Sequence, residues 1–461
     1  CHPPGEHRAA GDDRGGGEHA RGYRFRAHTR GGSDYACEER RLDQPLRGWD
    51  SRGHDHDDLR WDSPFGEWCN PGVLNPAGGG AVKILVPSIV DLKKCAPNRL
   101  HHFINHLSKK HEITAICVND CWKAEKVDTG KSYKDFDSEL DRINIEYITK
   151  WNVSPFYQEF LLSRLIGSKY KDDYDVIFNY NTLLTGNLTA QKSRIPMVYD
   201  LADDLPEMVA SSPQIPGFLR STGKMFASRL LAENLLNAKK VTGISKTLQA
   251  NYAIPGNKFE LVNNGVNTRQ FRPLKTDLKS ELDLEDFFVL GSVGVLREWV
   301  DFKPVYEALK HFRGVRLLIV GEEGFLKENI KLAEAYGVAE KVFFTGTVPY
   351  ASVPEYISAM DCCLIPFNQS KVSQNSVPLK LFEYMACEKP VLSTRLPGVK
   401  EVAQDRILYA DTVNEYKDQI SALISSDNNS KRCKYNRKFV VDTYDWNSIS
   451  KHLETVLMEV I

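Results

Sequence analysis

From residue 82 onward the chain alternates short apolar runs with longer stretches in which apolar residues recur every three or four positions. Runs of roughly 4–8 apolar residues bounded by turn formers read as buried strands, and the longer rhythm reads as amphipathic helix. Strand-like runs occupy residues 82–86, 113–118, 176–180, 197–200 and 240–244, with helical patterns over 98–109 and 225–237. A second series follows near Phe288, with strands at 289–293, 315–320, 342–345, 362–365 and 391–394. Helices are expected between them at 304–311, 326–335, 353–359 and 379–387, and a last one at 448–458. Strands separated by helices imply βαβ units and parallel sheets covered by helices. The chain therefore reads as two doubly wound α/β halves. Between them lie Asn263-Asn264-Gly265-Val266-Asn267 and Phe271-Arg272-Pro273, whose turn formers mark the expected hinge.

The first 80 residues break this pattern. They hold 15 of the 31 glycines and 11 arginines but no lysine, and they lack sustained apolar periodicity. Such a segment buries too little surface to offset its chain entropy. Residues 1–81 are thus expected to form a disordered or non-native leader. Within it, His54, Asp55, His56, Asp57 and Asp58 read as a solvated run, and no metal is expected. Hydrophobic residues at 42%, charged residues at 26% and a net charge of −1 fit a soluble globular protein and give no support for a nucleic-acid partner. No apolar run reaches the roughly 18 residues a membrane span needs. The ten cysteines form no CxxC pair. They read as buried reduced thiols, which points to the cytoplasm.

The most informative stretch is Ser376-Val377-Pro378-Leu379-Lys380-Leu381-Phe382-Glu383-Tyr384-Met385-Ala386-Cys387. Ser376 reads as an N-cap, with Pro378 in the first turn of a helix running to Cys387. The free amides from Val377 to Lys380 would then offer an anion site at the positive end of the helix. Glu383 lies among Leu381, Phe382, Met385 and Ala386, where a carboxylate needs a partner. Two hydroxyls of a ribose would suit it. Lys380, at i, i+3 on a helix surface, would suit it as well.

This stretch resembles the nucleotide-sugar signature of the retaining family-four glycosyltransferases. Further resemblances occur in the family's order. Val262 to Asn267 with Phe271 and Pro273 is similar to its interdomain segment, and Leu317-Leu318-Ile319-Val320-Gly321 to a central strand. Val342 to Val348, Ala359-Met360-Asp361 through Pro366, and Ile244-Ser245-Lys246-Thr247-Leu248 match further elements. The resemblance implies the GT-B fold: two Rossmann-like doubly wound domains facing a cleft, with a C-terminal helix crossing back to the first. Residues 82–265 would bind the acceptor, 266–440 the donor, and 441–461 would form the crossover.

The implied reaction moves a sugar from a nucleoside diphosphate to a glycan or lipid-linked acceptor, with retention of configuration. It needs no cofactor beyond a donor substrate, a UDP- or GDP-sugar. By resemblance, Glu383 would bind the donor ribose, while Ser376, Val377, Pro378 and Leu379 would cradle the diphosphate. Val348 would lie at the base, and Gly294 would also border the donor. The family usually carries an earlier glutamate where this chain has Asn375, and an Arg with Lys-Gly where this chain has Gly294 to Asp301. Arg297 and Lys380 are then the candidates to neutralise the leaving diphosphate. Asp200 and Asp203, at a strand end of the first domain, are candidates to orient the acceptor or stabilise the transition state. Glu233 matches a carboxylate found in relatives, and a place on the helix surface fits it equally well. Arg220, Lys224 and Arg229, with Lys239 and Lys240, surround Phe218, Leu219, Met225 and Phe226 in a pattern that fits a solvated helix face first and peripheral contact at the inner face of the cell membrane as the alternative. The amide at Asn375 leaves a second reading open, a catalytically silent subunit that binds a nucleotide or a partner.

Overall fold

The computed structural model describes residues 80–119, 140–149, 153, 157–160, 170, 173–212, 215–321, 324–426 and 429–461. All but the last two residues of the expected leader, including the acidic-histidine run at 54–58, lie outside this set.

Two parallel sheets organise the chain. The first contains β1 (Lys83–Ser88), β2 (Glu112–Cys117), β3 (Asn144–Tyr147), β4 (Val176–Tyr180), β5 (Met197–Leu201), β6 (Lys240–Gly243) and β7 (Phe259–Leu261), in the order β3-β2-β1-β4-β5-β6-β7. The second contains β8 (Phe288–Val293), β9 (Val315–Val320), β10 (Val342–Phe344), β11 (Cys362–Ile365), β12 (Val391–Ser393) and β13 (Leu408–Tyr409), in the order β10-β9-β8-β11-β12-β13. Every residue of β4 and β11 is buried, so both faces are covered, which is why these segments read as largely apolar runs. The strand order reverses between β1 and β4, and again between β8 and β11. In such sheets ligands bind in the crevice beyond the carboxyl ends of the strands near that reversal.

The helices that shape the cleft are α1 (Arg99–Leu107), α2 (Leu205–Ser211), α3 (Gly217–Asn237), α4 (Lys246–Asn251), α5 (Lys371–Asn375), α6 (Leu379–Ala386), α7 (Pro397–Ala403) and α8 (Trp446–Met458). Helix α8 crosses back to the first sheet's helices. His102 of α1 stacks on Trp446 at 4.7 Å, and Phe103 meets the same ring edge-on. Glu454 of α8 accepts hydrogen bonds from His106 at 2.7 Å and Lys110 at 2.9 Å.

The segment linking the sheets runs under the start of α8. Val266 N–H donates to the Tyr444 carbonyl, and Trp446 N–H donates to the Val266 carbonyl. Asn264-Gly265 was expected to turn, but Gly265 does not have positive φ. Its glycine is needed for close approach: a Cβ there would lie 2.6 Å from the Tyr444 carbonyl oxygen and 2.7 Å from Ile449.

Two local expectations are corrected. Helix α3 begins at Gly217 rather than near Met225. Gly217 and Gly223 weaken the local helical signal, and packing against the first domain overrides it. Ser376 does not cap α6. Its hydroxyl donates back to the Ser373 carbonyl at the end of α5, Pro378 is extended at the N-cap position, and α6 starts at Leu379.

Candidate functional site

The carboxyl edge of the second sheet turns on three glycines with positive φ: Gly294 at 112°, Gly321 at 134° and Gly346 at 72°. Gly294 N–H donates to Val320 O and Gly321 N–H to Gly346 O, so the three turns are layered. A side chain on Gly321 would strike the Gly294 carbonyl. Strand ends stripped of side chains in this way leave a floor that a ligand can approach at backbone distance.

Above that floor is a cavity of about 290 Å³. It is walled by Val293, Gly294 and Val295 at and after the end of β8, by Val320 and Gly321 at and after the end of β9, and by Thr347, Val348, Tyr350 and Val353 beyond β10. Helix α6 contributes Leu379, Lys380 and Glu383, and Ala96 and Pro97 reach in from the loop preceding α1. Helix α6 is otherwise buried: Leu381, Phe382, Tyr384, Met385 and Ala386 are all 0% exposed. Each large apolar side chain so buried stabilises the fold by roughly 1.5–3 kcal/mol. Tyr384 also fixes the helix against β8, since Val293 N–H donates to its hydroxyl oxygen at 2.7 Å.

Glu383 is carried into this apolar setting with only 8% of its surface exposed. Burial pushes its carboxyl up to about 7, against the opposing pull of Lys380 and of the Tyr350 hydroxyl, which donates to it at 3.3 Å. Burial likewise lowers the Lys380 ammonium to about 8, with Glu383 opposing. The two groups therefore line one cavity, with Glu383 buried and Lys380 half-buried, and do not form a solvated pair on a helix surface. Lys380 Nζ would lie 3.3 Å from a Cβ on Gly294, which places the cation directly over the glycine floor. A carboxylate that can accept two hydroxyls, a cation beside a helix amino terminus, and an apolar slot between them have the chemistry that complements a nucleoside diphosphate.

Among the expected donor residues, Gly294, Val348, Leu379, Lys380 and Glu383 thus share one cavity. Asn375, Ser376, Val377 and Pro378 lead into α6 without lining it. The Asn375 amide is engaged elsewhere: its Nδ2 donates to Asp204 at 2.6 Å, and its Oδ1 accepts from Asn251 at 2.7 Å. Arg297 is exposed, lies outside the cavity lining, and among the described residues makes no salt bridge with Glu298.

In the first domain, Asp200 is fully buried and committed to structure. Arg99 donates to both of its oxygens, at 2.9 and 2.8 Å, and the Thr242 hydroxyl donates at 2.6 Å. That corrects the expectation of an acceptor-facing role, because a fully buried carboxylate held by an internal guanidinium and a hydroxyl presents no surface to an acceptor. Asp203 keeps an exposed surface and receives a long hydrogen bond from Asn181 at 3.5 Å. Crowding by surrounding protein and then the Asp200 charge push its carboxyl up to about 6, against the pull of Arg99. Glu233 pairs with Arg229 at 3.6 Å on the outer face of α3. Tyr350, like Ala96, Pro97, Thr347 and Val353, is a wall residue that the sequence does not single out. It lies two positions beyond Val348, and nothing in the local pattern separates it from a turn aromatic.

A second recess, lined by Arg313, Arg316 and Lys341, lies at the opposite edge, where β9 and β10 begin. Lys341 donates to the Leu309 and Phe312 carbonyls and Arg316 to the Arg313 and Val315 carbonyls, so these cations serve the backbone.

Residues 275–440 match the family model described as glycosyl transferases group 1. That segment contains the whole glycine floor and helix α6. TuaH of Bacillus subtilis (strain 168), whose name provisionally assigns it as a teichuronic acid biosynthesis glycosyltransferase, is 28% identical over 199 residues, or 42% of this chain and 50% of TuaH. The chain thus spans about half the length of the curated relative it matches. Among solved structures, HepE of Anabaena in complex with UDP and glucose superposes with a TM-score of 0.62 at 18% identity, covering 82% of this chain and 100% of HepE. Sucrose-phosphate synthase from Thermosynechococcus elongatus superposes with a TM-score of 0.63 at 14% identity, covering 82% of this chain and 98% of the synthase. The fold is GT-B.

Proposed function

We propose that the chain is a glycosyltransferase that takes a sugar from a nucleoside-diphosphate donor, a UDP-sugar before a GDP-sugar, and passes it with retention to a glycan or lipid-linked acceptor. The observation that carries this reading is the placement of buried Glu383 and half-buried Lys380 in one cavity over the glycine floor at the carboxyl edge of the second sheet. Residues 266–440 hold the donor and residues 82–265 the acceptor. Glu383 accepts the ribose hydroxyls, and the amides opening α6 meet the diphosphate. Lys380 stabilises the charge that develops as the diphosphate leaves, with Arg297 as a more distant second cation. This protein cation is the basis for proposing that transfer proceeds without a metal. HepE, which shares the fold, was solved with UDP and glucose, and this supports uridine as the first base to test. The amide at Asn375 is accounted for by its own partners, so it does not argue for a silent subunit.

A lipid-linked acceptor is supported by α3. Phe218 at 82%, Met225 at 68% and Leu236 at 77% exposure repeat along its outer face, with Leu219 and Phe226 beside them. The cations expected to assist are largely engaged: Lys224 with Glu207, Arg220 with the Ile215 carbonyl, and Lys240 with Glu260. Apolar insertion rather than charge is therefore the proposed attraction, at the cytoplasmic face of the membrane. No described helix is long and apolar enough to cross a membrane.

A thermal-shift screen against UDP-, GDP-, ADP- and TDP-sugars tests the donor. Stabilisation by the matching nucleotide is expected to reach about 2.7 kcal/mol at a hundred times Kd. Release of free UDP from a UDP-sugar, persisting in a chelator, is expected from an active enzyme. Failure of every nucleotide to shift the transition would overturn the assignment.

The pH profile of nucleotide binding follows from the same pair. The Glu383 carboxyl must be ionised to accept two hydroxyls, so affinity should climb as pH rises through about 7. Lys380 must be protonated to meet the diphosphate, so affinity should fall above about 8. Calorimetry from pH 6 to 9 is expected to show a maximum between those values, and a flat profile would remove the pair from the binding site.

A further inference from the structure

We infer that Asp204 is a positioning residue that latches the donor loop to the first domain, with Asn375 as its receiver. The inference rests on the donor site proposed above, although the contacts themselves are independent of it. Asp204 follows β5 and is buried at 6% exposure. Its Oδ1 accepts from Glu207 N–H at 3.1 Å, which caps α2, and from the Tyr252 hydroxyl at 2.5 Å. Its Oδ2 reaches across the cleft and accepts from Asn375 Nδ2 at 2.6 Å. Asn251, at the end of α4, completes the grip by donating to Asn375 Oδ1 at 2.7 Å.

Asn375 begins the four residues that lead into α6. Val377, two residues on, is held as well: its carbonyl accepts from Asn264 Nδ2 at 2.7 Å. First-domain side chains thus grip this loop at two points, immediately before the helix that presents Lys380 and Glu383. A further cross-cleft tie comes from Glu401 of α7, which accepts from Lys246 N–H at 2.7 Å and Thr247 N–H at 3.0 Å at the start of α4.

The chemistry at position 375 is restrictive. It must donate to a carboxylate and accept from an amide at once, which an asparagine does without taking up a proton and an ionised acid does not. A carboxylate there would face Asp204 at hydrogen-bond distance, and two such groups cannot both stay ionised in a buried setting. The latch therefore makes the placement of α6 depend on closure of the first domain over the loop.

Asn375→Asp, Asp204→Asn, Asn375→Ser and the Asn375→Asp/Asp204→Asn exchange test this. In the exchanged pair the amide at 204 donates to the carboxylate at 375, so every bond is retained. Two readouts are used on the full chain: UDP affinity by calorimetry, and hydrogen exchange at the Lys246 and Thr247 amides, whose acceptor lies across the cleft. Asn375→Asp is expected to weaken UDP binding about tenfold and to speed exchange at both amides, in line with loss of a charge-assisted bond. Asn375→Ser should give a smaller loss in both, and the exchanged pair should return both toward wild type. Wild-type behaviour of Asn375→Asp and Asn375→Ser, or an exchanged pair no better than Asn375→Asp, would overturn the latch. If the wild-type protein binds no nucleotide, the donor-site reading fails, and hydrogen exchange alone decides the latch.

Discussion

Glu383→Gln is expected to weaken UDP binding about a hundredfold while raising the unfolding temperature of the ligand-free protein at pH 8. The first half follows from the two ribose hydroxyls that Glu383 is proposed to accept. Each bond to an ionised carboxylate contributes roughly 1.5–3 kcal/mol, and an amide oxygen replaces only part of that. A loss near 2.7 kcal/mol corresponds to a hundredfold change in Kd. The second half follows from linkage. The fold holds the Glu383 carboxyl at about 7 instead of 4.5, so the folded state favours the protonated form. The unfolded chain ionises freely above its own lower value. Stability therefore falls as pH rises from about 4.5 to about 7, and above that the whole penalty, about 3 kcal/mol, is present. Glutamine removes it. Part of the gain is lost because Lys380 forfeits the neighbour that supports its charge, leaving a net increase on the order of 1 kcal/mol. Calorimetric titration with UDP and a thermal melt at pH 8 check both halves. A variant that binds UDP as tightly as wild type would remove Glu383 from the donor site. A variant that loses stability would show Glu383 to be a structural partner instead.

Much of this site could be read from the chain, because it is built from local features. The strand at 362–365 and the helix near 379 appear as apolar patterns that need no distant partner. Glu383 stands out for being a carboxylate among Leu381, Phe382, Met385 and Ala386. Other features depend on long-range contacts that no local pattern reveals. β3 and β13 are short and largely half-exposed, so they lack the largely apolar run that marks β4. Asn375 reads as a weakened donor contact until Asp204, 171 positions earlier, is brought against it. Ser376 has the chemistry of a helix cap, but its hydroxyl is captured by the carbonyl three residues back, which a spacing rule does not distinguish. The lesson is sharpest at strand ends. A carboxylate there has the same sequence appearance whether it faces a substrate or an internal cation.

Asp200 is that case, and Arg99→Ala is expected to destabilise the protein by about 3–5 kcal/mol, the usual consequence of leaving one member of a buried ion pair alone. The side chains of Arg99 and Asp200 are 3% and 0% exposed. The guanidinium spans three parts of the fold. It grips Asp200 on β5, donates to the Asn263 carbonyl at 2.7 Å where the chain leaves the first sheet, and lies over the Phe103 ring at 4.6 Å. Thr242 on β6 adds its hydroxyl to the same carboxylate. Removing Arg99 thus strands a buried charge and loosens the start of the linker together. Replacing both partners, Arg99→Met with Asp200→Leu, removes the stranded charge and should recover much of the loss. Urea unfolding of the two variants decides the matter. Asp200→Asn offers the complementary check: it keeps the shape, removes the charge and turns one acceptor oxygen into a donor that cannot accept from Arg99. A folded Asp200→Asn protein of wild-type stability that had lost transfer activity would return Asp200 to catalysis. A destabilised protein whose remaining folded fraction still binds UDP would hold it to its place as the anchor between β5, α1 and the linker.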